Sequence, residues 1–215
     1  MDGWLPYVIT LFLSLGIVCV VHPCLVRFAL KKGIVDSPNA RKLNRTPVPV
    51  LGGVGVFIGF AIALYVISLV MSVSLPTIYI VLLLLMVGVG FVDDLYDLRP
   101  SAKFAVQIVA VLLLYFVCGL RIDNLHGIFG IYELPMIASL PLTLVACVGL
   151  INSLNLIDGI DGLSSGYSMV AAGLFAIWTY MQGGCVNLLV ACALVGALIP
   201  FFVYNVFGKR NKMFI

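Results

Sequence analysis

The sequence predicts an all-α fold: a polytopic transmembrane helical bundle of about seven spans with its N-terminus outside. Three observations predict it. Of 215 residues, 63% are hydrophobic and only 10% are Asp, Glu, Lys or Arg, a balance that excludes an ordinary soluble domain. The apolar residues come in continuous runs, not in the alternation of a membrane barrel. Eleven of the twelve Lys and Arg residues fall in polar gaps that this topology puts on one side of a membrane.

The runs occupy 4–21, 50–71, 77–92, 104–120, 136–151, 166–181 and 186–205. A helix needs ~17–25 residues to cross the hydrocarbon, so the shorter runs must extend into the headgroups. Between the first two runs lie Arg27, Lys31, Lys32, Arg41, Lys42 and Arg45; between the third and fourth, Arg99 and Lys103; after the seventh, Lys209, Arg210 and Lys212. With an odd number of spans, all of these are cytoplasmic and only Arg121 is outside. The start, Met1-Asp2-Gly3-Trp4, lacks the basic region of a cleaved signal peptide, so the first span is expected to be retained.

The gap from 21 to 49 is rich in turn residues. Asp36-Ser37-Pro38-Asn39 and Thr46-Pro47-Val48-Pro49 cannot be helix interiors, because proline lacks a donor and restrains its neighbour. Gly55 and Gly59 form a GxxxG in the second run, a spacing that signals helix packing. The outside segment 121–135 reads as a short β-hairpin broken at Gly127 or Gly130. Its His126 is expected in solvent. His22, beside Pro23 at a span end, is read as interfacial and given no role. The six scattered Cys fit small apolar packing rather than metal or redox chemistry. The net charge of +3 reflects the basic cytoplasmic gaps and implies no nucleic-acid partner. Without a repeat or linker, residues 1–215 read as a single membrane domain.

Six of the nine carboxylates share the cytoplasmic side: Asp36, Asp93, Asp94, Asp97, Asp158 and Asp161. Adjacent Asp93 and Asp94 at a low-dielectric boundary repel one another and lose hydration. A divalent cation or nearby Lys and Arg would relieve both costs, and Mg²⁺ suits oxygen ligands shared with phosphates. The plainer explanation is a helix ending in water. Asn155, Asp158 and Asp161 recur every three residues, which would align them on a helical or 3₁₀ turn. Gly159 and Gly162 would let a ligand approach the backbone. Two such clusters on one face favour a metal–diphosphate site. Arg41, Lys42 and Arg45 would supply its positive half, although cytoplasmic loops carry basic residues in any case.

These residues resemble the polyprenyl-phosphate N-acetylhexosamine-1-phosphate transferases, within glycosyltransferase family 4. Three blocks carry the resemblance. The first runs from Asp36 through Arg41 and Lys42 to Gly53. The second is Phe91-Val92-Asp93-Asp94-Leu95-Tyr96-Asp97-Leu98, with Lys103 and Gln107; the third is 152–162. They are more similar to the bacterial branch that starts wall teichoic acid, O-antigen or enterobacterial glycan synthesis than to the muramoyl-pentapeptide branch.

The resemblance implies transfer of N-acetylhexosamine 1-phosphate, GlcNAc-1-phosphate above all, from a UDP-sugar to undecaprenyl phosphate. UMP would be released, Mg²⁺ would be the cofactor with Mn²⁺ as an alternative, and the active face would be the cytoplasmic side of the plasma (inner) membrane. It implies Asp93 as base or activator of the lipid phosphate, with Asp94 orienting it or approaching the metal. Asp158 and Asp161 would hold metal or diphosphate, and Asn155, Asn205, Arg41 and Lys42 would bind substrate. Membrane lipid and a homodimer complete the implied partners.

Asn44 and Val50 depart from the family pattern. The family's Gly-Asp-x-Gly-Ser segment and a His-containing sugar-reading loop would follow residue 215, so the chain resembles the N-terminal two-thirds of the enzyme. Alone it is expected to insert in a membrane without turnover. A catalytically inactive membrane remnant or interaction partner is the competing class. An ion-coupled transporter is another, but it expects carboxylates at mid-membrane rather than at span ends.

Overall fold

The computed structural model describes residues 3–36, 48–75, 77–96, 98–158 and 160–208. They form seven α-helices: α1 (Leu5–Lys32), α2 (Gly52–Met71), α3 (Thr77–Tyr96), α4 (Pro100–Phe116), α5 (Met136–Ile157), α6 (Leu163–Met181) and α7 (Cys185–Phe207). Each apolar run has become one helix. Five of them, α1, α2, α3, α5 and α7, are long and apolar enough to cross a membrane, and α4 is a shorter apolar helix of 17 residues. The fold is an all-α membrane bundle. Its one ladder among the described residues pairs β1 (Val35–Asp36) antiparallel with β2 (Val48–Pro49).

The first helix corrects the sequence reading. The apolar run stops at 21, but α1 continues through Pro23 to Lys32. Its buried stripe is Pro6, Thr10, Ser14, Val18, His22, Val26 and Ala29, spaced at three or four residues as a single helix face requires. Three of these seven residues are polar, and the apolar run breaks at the buried His22 and at Pro23. Gly33 ends the helix at φ 70°, a conformation that glycine adopts without strain. Lys31 and Lys32 occupy the last turn, where cations complement the helix dipole. His22 is buried at 1% exposure.

Contacts divide the chain into two compact units. The first contains α1, α2, α6 and α7. Val18, Phe60, Leu64, Ile67, Leu189, Ala193 and Ala197 form its core. Small residues set the spacing, as in membrane helix pairs that lack a hydrophobic drive to associate. A Cβ on Gly59 would lie 2.3 Å from Val18 Cγ2, and one on Gly196 would lie 2.2 Å from the Leu11 carbonyl oxygen. Between these points the Ser14 hydroxyl donates to the Ala193 carbonyl at 2.8 Å.

The second unit is α3, α4 and α5 with the loop between α4 and α5. The Tyr115 hydroxyl donates to Ser139 Oγ at 3.1 Å, joining the end of α4 to the start of α5. The loop turns back on itself: Leu125 N–H reaches the Tyr132 carbonyl and Leu134 N–H the Asp123 carbonyl, both at 2.8 Å. A single bridge, Asn124 with Glu133, replaces the expected strand pair. The arms are too short for strands because a 3₁₀ turn at Ile128–Gly130 consumes their tip. Gly127 precedes the turn and Gly130 closes it, at φ 87° and 75°. His126 is exposed, as expected.

Candidate active site

Asp93 and Asp94 lie in the last turn of α3, where the helix dipole disfavours a carboxylate. Lys103 lies in the first turn of α4, where the dipole disfavours a cation. Each charge answers the other: Lys103 Nζ stands 2.5 Å from Asp93 Oδ2. The second oxygen, Oδ1, accepts the Leu98 N–H at 3.0 Å. Both oxygens of Asp93 are therefore engaged, in a pair whose side chains are 25% and 31% exposed. Such a pair contributes ~1 kcal/mol or less to stability. Its consequence is positional, because it fixes the turn that carries Asp94.

One turn further along α4 stands Gln107, on the same face as Lys103. It is 4% exposed and accepts from Asn152 Nδ2 at 2.8 Å. The α3 and α5 helices thus both hold one stripe of α4, through Asp93–Lys103 and Asn152–Gln107. Asn155 lies three residues beyond Asn152 on α5 and is exposed.

Asp158 and Asp161 belong to the first unit. Helix α5 ends at Ile157, so Asp158 lies past it and the three-residue register with Asn155 is not carried by one helix. Turns of the i to i+3 kind follow: Ile160 N–H to Ile157 O at 3.2 Å and Leu163 N–H to Ile160 O at 3.0 Å. Burial pushes the Asp158 carboxyl above its ordinary value, and a hydrogen bond with Ser164 offsets part of that rise. Asp161 is exposed.

Gly162 then starts α6 at φ 74°. Its N–H donates to Asn205 Oδ1 at 2.6 Å. A Cβ there would meet Val206 Cγ2 at 2.4 Å and Phe202 Cε2 at 2.9 Å, so α7 walls the turn closely. Asn205 is 5% exposed. Its neighbour Tyr204 stacks on His22 of α1, ring centroids 4.1 Å apart. The acidic turn is thereby tied through α7 to α1. The Ser165 hydroxyl, buried in the first turn of α6, has no hydrogen-bond partner among the described residues.

Asp93 and Asn155 are placed in the second unit with Asp94, and Asp158, Asp161 and Asn205 in the first. Arg41 and Lys42 lie outside the described residues. Within either unit, the described residues include no group of three His, Cys, Asp or Glu able to hold a metal. Oxygen donors such as Asp158 and Asp161 match a hard cation in kind, and Mg²⁺ commonly takes only one or two carboxylates with the rest from water and phosphate. Sequence reading missed His22 and Ser164. Ser164 had a signal, a hydroxyl just inside a helix that follows Asp-Gly; His22 had none beyond its neighbouring proline.

The chain is 33% identical over 195 residues to an undecaprenyl-phosphate alpha-N-acetylglucosaminyl 1-phosphate transferase of Yersinia pestis, covering 88% of this chain and 52% of that protein. A Salmonella typhi protein of the same name is 31% identical, with the same coverage. A Bacillus subtilis protein named as a probable undecaprenyl-phosphate N-acetylglucosaminyl 1-phosphate transferase is 30% identical, covering 92% of this chain and 55% of its own length. The chain spans about half the length of the curated relatives it matches. Residues 76–215, which contain Asp93, Asp94, Asn155, Asp158, Asp161 and Asn205, match the family described as Glycosyl transferase family 4, and the chain belongs to that family.

Proposed function

We propose that this chain serves the transfer of N-acetylglucosamine 1-phosphate from UDP-N-acetylglucosamine to undecaprenyl phosphate, releasing UMP, as the first step of a cell-envelope glycan. The observation that carries this reading is the likeness, across 88–92% of the chain, to relatives named as undecaprenyl-phosphate N-acetylglucosaminyl 1-phosphate transferases. Net chemistry is an exchange at phosphorus. A lipid phosphate oxygen bonds to the β-phosphorus, and the bond from β-phosphorus to the bridging oxygen breaks, with that oxygen leaving on UMP. The reaction takes place at the cytoplasmic face of the plasma membrane, a placement supported by the Lys and Arg asymmetry.

The residues divide the work. Lys103 holds Asp93 until an incoming phosphate offers its ammonium a second anion. Release of Oδ2 then leaves the Asp93 carboxylate able to act on the lipid phosphate, with Asp94 orienting it. Asp158 and Asp161 would hold Mg²⁺, which when bound neutralises diphosphate charge and stabilises the leaving UMP. Burial makes an ionised Asp158 costly, and a cation offsets that cost. Asn155, Arg41 and Lys42 contact the substrate, and Asn205 fixes the acidic turn through Gly162.

The test is a lipid-extraction assay. Residues 1–215 joined to the segment of a relative that the match leaves uncovered should move radiolabelled sugar from UDP-N-acetylglucosamine into extractable lipid. Loss of one transition-state electrostatic group costs ~10²–10³ in rate, so Asp94→Asn and Asp158→Asn should fall by that much with folded protein unchanged. Parent-like turnover in both would remove these carboxylates from the reaction.

A further inference from the structure

At the opposite end of α4 from Lys103, about 18 Å along the helix at 1.5 Å per residue, the second unit contains a cavity of about 500 Å³. Tyr115, Phe116, Arg121, Asp123, Glu133 and Met136 line it. We propose that it binds the headgroup of a zwitterionic phospholipid with a primary ammonium, of the ethanolamine type, its phosphate on Arg121 and its ammonium on Glu133.

The floor is rigid. Tyr115 is 3% exposed and its hydroxyl is held by Ser139. The rim is pinned to α5 by the Ile122 N–H, which donates to Thr143 Oγ1 at 3.0 Å. The bridge of Asn124 with Glu133 and the Leu134 to Asp123 hydrogen bond hold the two sides of the loop in register. The cavity is therefore part of the loop's hydrogen-bonded frame.

Its charges suit a zwitterion. Arg121 lies over the Tyr115 ring at 5.8 Å and donates from Nε to Asp123 at 2.7 Å. That bond uses one of the five donors of a guanidinium, whose planar fork suits a phosphate. Arg121 and Asp123 cancel, and Glu133 leaves one negative charge in excess. An anionic headgroup would meet that excess unanswered. A choline headgroup carries no N–H to donate to a carboxylate. A primary ammonium has three.

The surroundings suit a lipid. The cavity sits where α4 ends and α5 begins, the level at which helices leave the hydrocarbon for the headgroups. Phe116 and Met136 at its edge are 58% and 56% exposed, offering an apolar wall for glycerol and acyl chain. Phe129 and Tyr132 of the same loop are also exposed, in the manner of an interfacial aromatic belt.

Native mass spectrometry of the purified chain in detergent, titrated with phosphatidylethanolamine, phosphatidylglycerol or phosphatidylcholine, tests the proposal. Half-exposed ionic contacts imply a preference for phosphatidylethanolamine of about 5-fold. Glu133→Gln should abolish the preference, Glu133→Asp should keep part of it, and Arg121→Gln should weaken all three lipids. All of these side chains lie at the surface, and matched melting temperatures confirm the fold.

A water-soluble carbodiimide should then couple the lipid nitrogen to the Glu133 carboxyl as an amide, the water lost being taken up as urea. The peptide containing Glu133 gains the lipid mass in the parent and not in Glu133→Gln. Soluble glycerophosphoethanolamine should compete only at far higher concentration. Equal binding of phosphatidylglycerol, an unchanged preference in Glu133→Gln, or coupling that avoids Glu133 would overturn the site. Competition by the soluble headgroup at equal concentration would overturn the lipid as its ligand.

Discussion

Replacing Gly196 by Ala probes how the first unit is held together. The added Cβ would stand 2.2 Å from the Leu11 carbonyl oxygen, 3.0 Å from its carbon and 3.1 Å from its Cα. These are backbone atoms of α1, so no rotamer change relieves the clash. To restore ordinary contact, α1 must withdraw from α7 by about 1 Å. That movement stretches the Ser14 to Ala193 hydrogen bond, now 2.8 Å. Overpacking costs ~1–3 kcal/mol, and the weakened bond adds ~1 kcal/mol. Greater helix propensity returns up to ~1 kcal/mol. A net loss of about 2 kcal/mol corresponds to roughly 6 °C in Tm for a chain of this size. Thermal unfolding in detergent, followed by fluorescence of Trp4 and Trp178, reads it. Gly16→Ala is the control, because a Cβ there meets nothing within 4 Å. If Gly196→Ala melts with Gly16→Ala, α1 and α7 do not approach as closely as described.

Three further outcomes follow from the site and the topology. Asn205→Ala removes the acceptor of the Gly162 N–H and should cost ~1–3 kcal/mol. Asn205→Asp keeps an acceptor and should recover most of it, so equal melting of the two variants would show that this bond contributes nothing. Asp158 has a carboxyl raised by burial, so the folded state binds more protons than the unfolded state between their two values. Stability from this group therefore falls as pH rises through that window. Asp158→Asn should melt higher than the parent at pH 7, with the gap closing as pH drops towards 4, and Mg²⁺ should stabilise the parent but not the variant. A pH-independent gap would contradict the burial. A cysteine placed at Asn124 should react with an impermeant reagent from outside cells and one at Ser101 should not; strong labelling at Ser101 would reverse the orientation.

Long apolar helices were legible because their signal is local. Runs such as 50–71 and 186–205 give α2 and α7 within two residues at either end. The end of α1 beyond residue 21 was not, because His22, Pro23 and Arg27 interrupt the apolar run although the helix continues through them. The carboxylates were legible as a charge pattern, since few other residues of this chain ionise. Their local partners were only half legible. Lys103 and Gln107 stood out by resemblance, but that one anchors Asp93 and the other Asn152 depends on how α3 and α5 meet α4. The Asn205 to Gly162 bond spans 43 residues, and no spacing rule reaches that far. The three-residue rhythm of Asn155, Asp158 and Asp161 was real in sequence but does not describe one helical face, because α5 ends between the first two.

One measurement separates the proposed reaction from ordinary sugar transfer. UDP-N-acetylglucosamine carrying radiolabel only in its β-phosphate is given, with undecaprenyl phosphate and Mg²⁺, to the 1–215 segment joined to the part of a relative that it does not match. Transfer of sugar 1-phosphate moves the β-phosphate into the lipid and leaves unlabelled UMP. Label recovered in extractable lipid, and lost in Asp94→Asn, is the predicted result. Label retained in UDP while the sugar reaches the lipid would contradict the account at its centre.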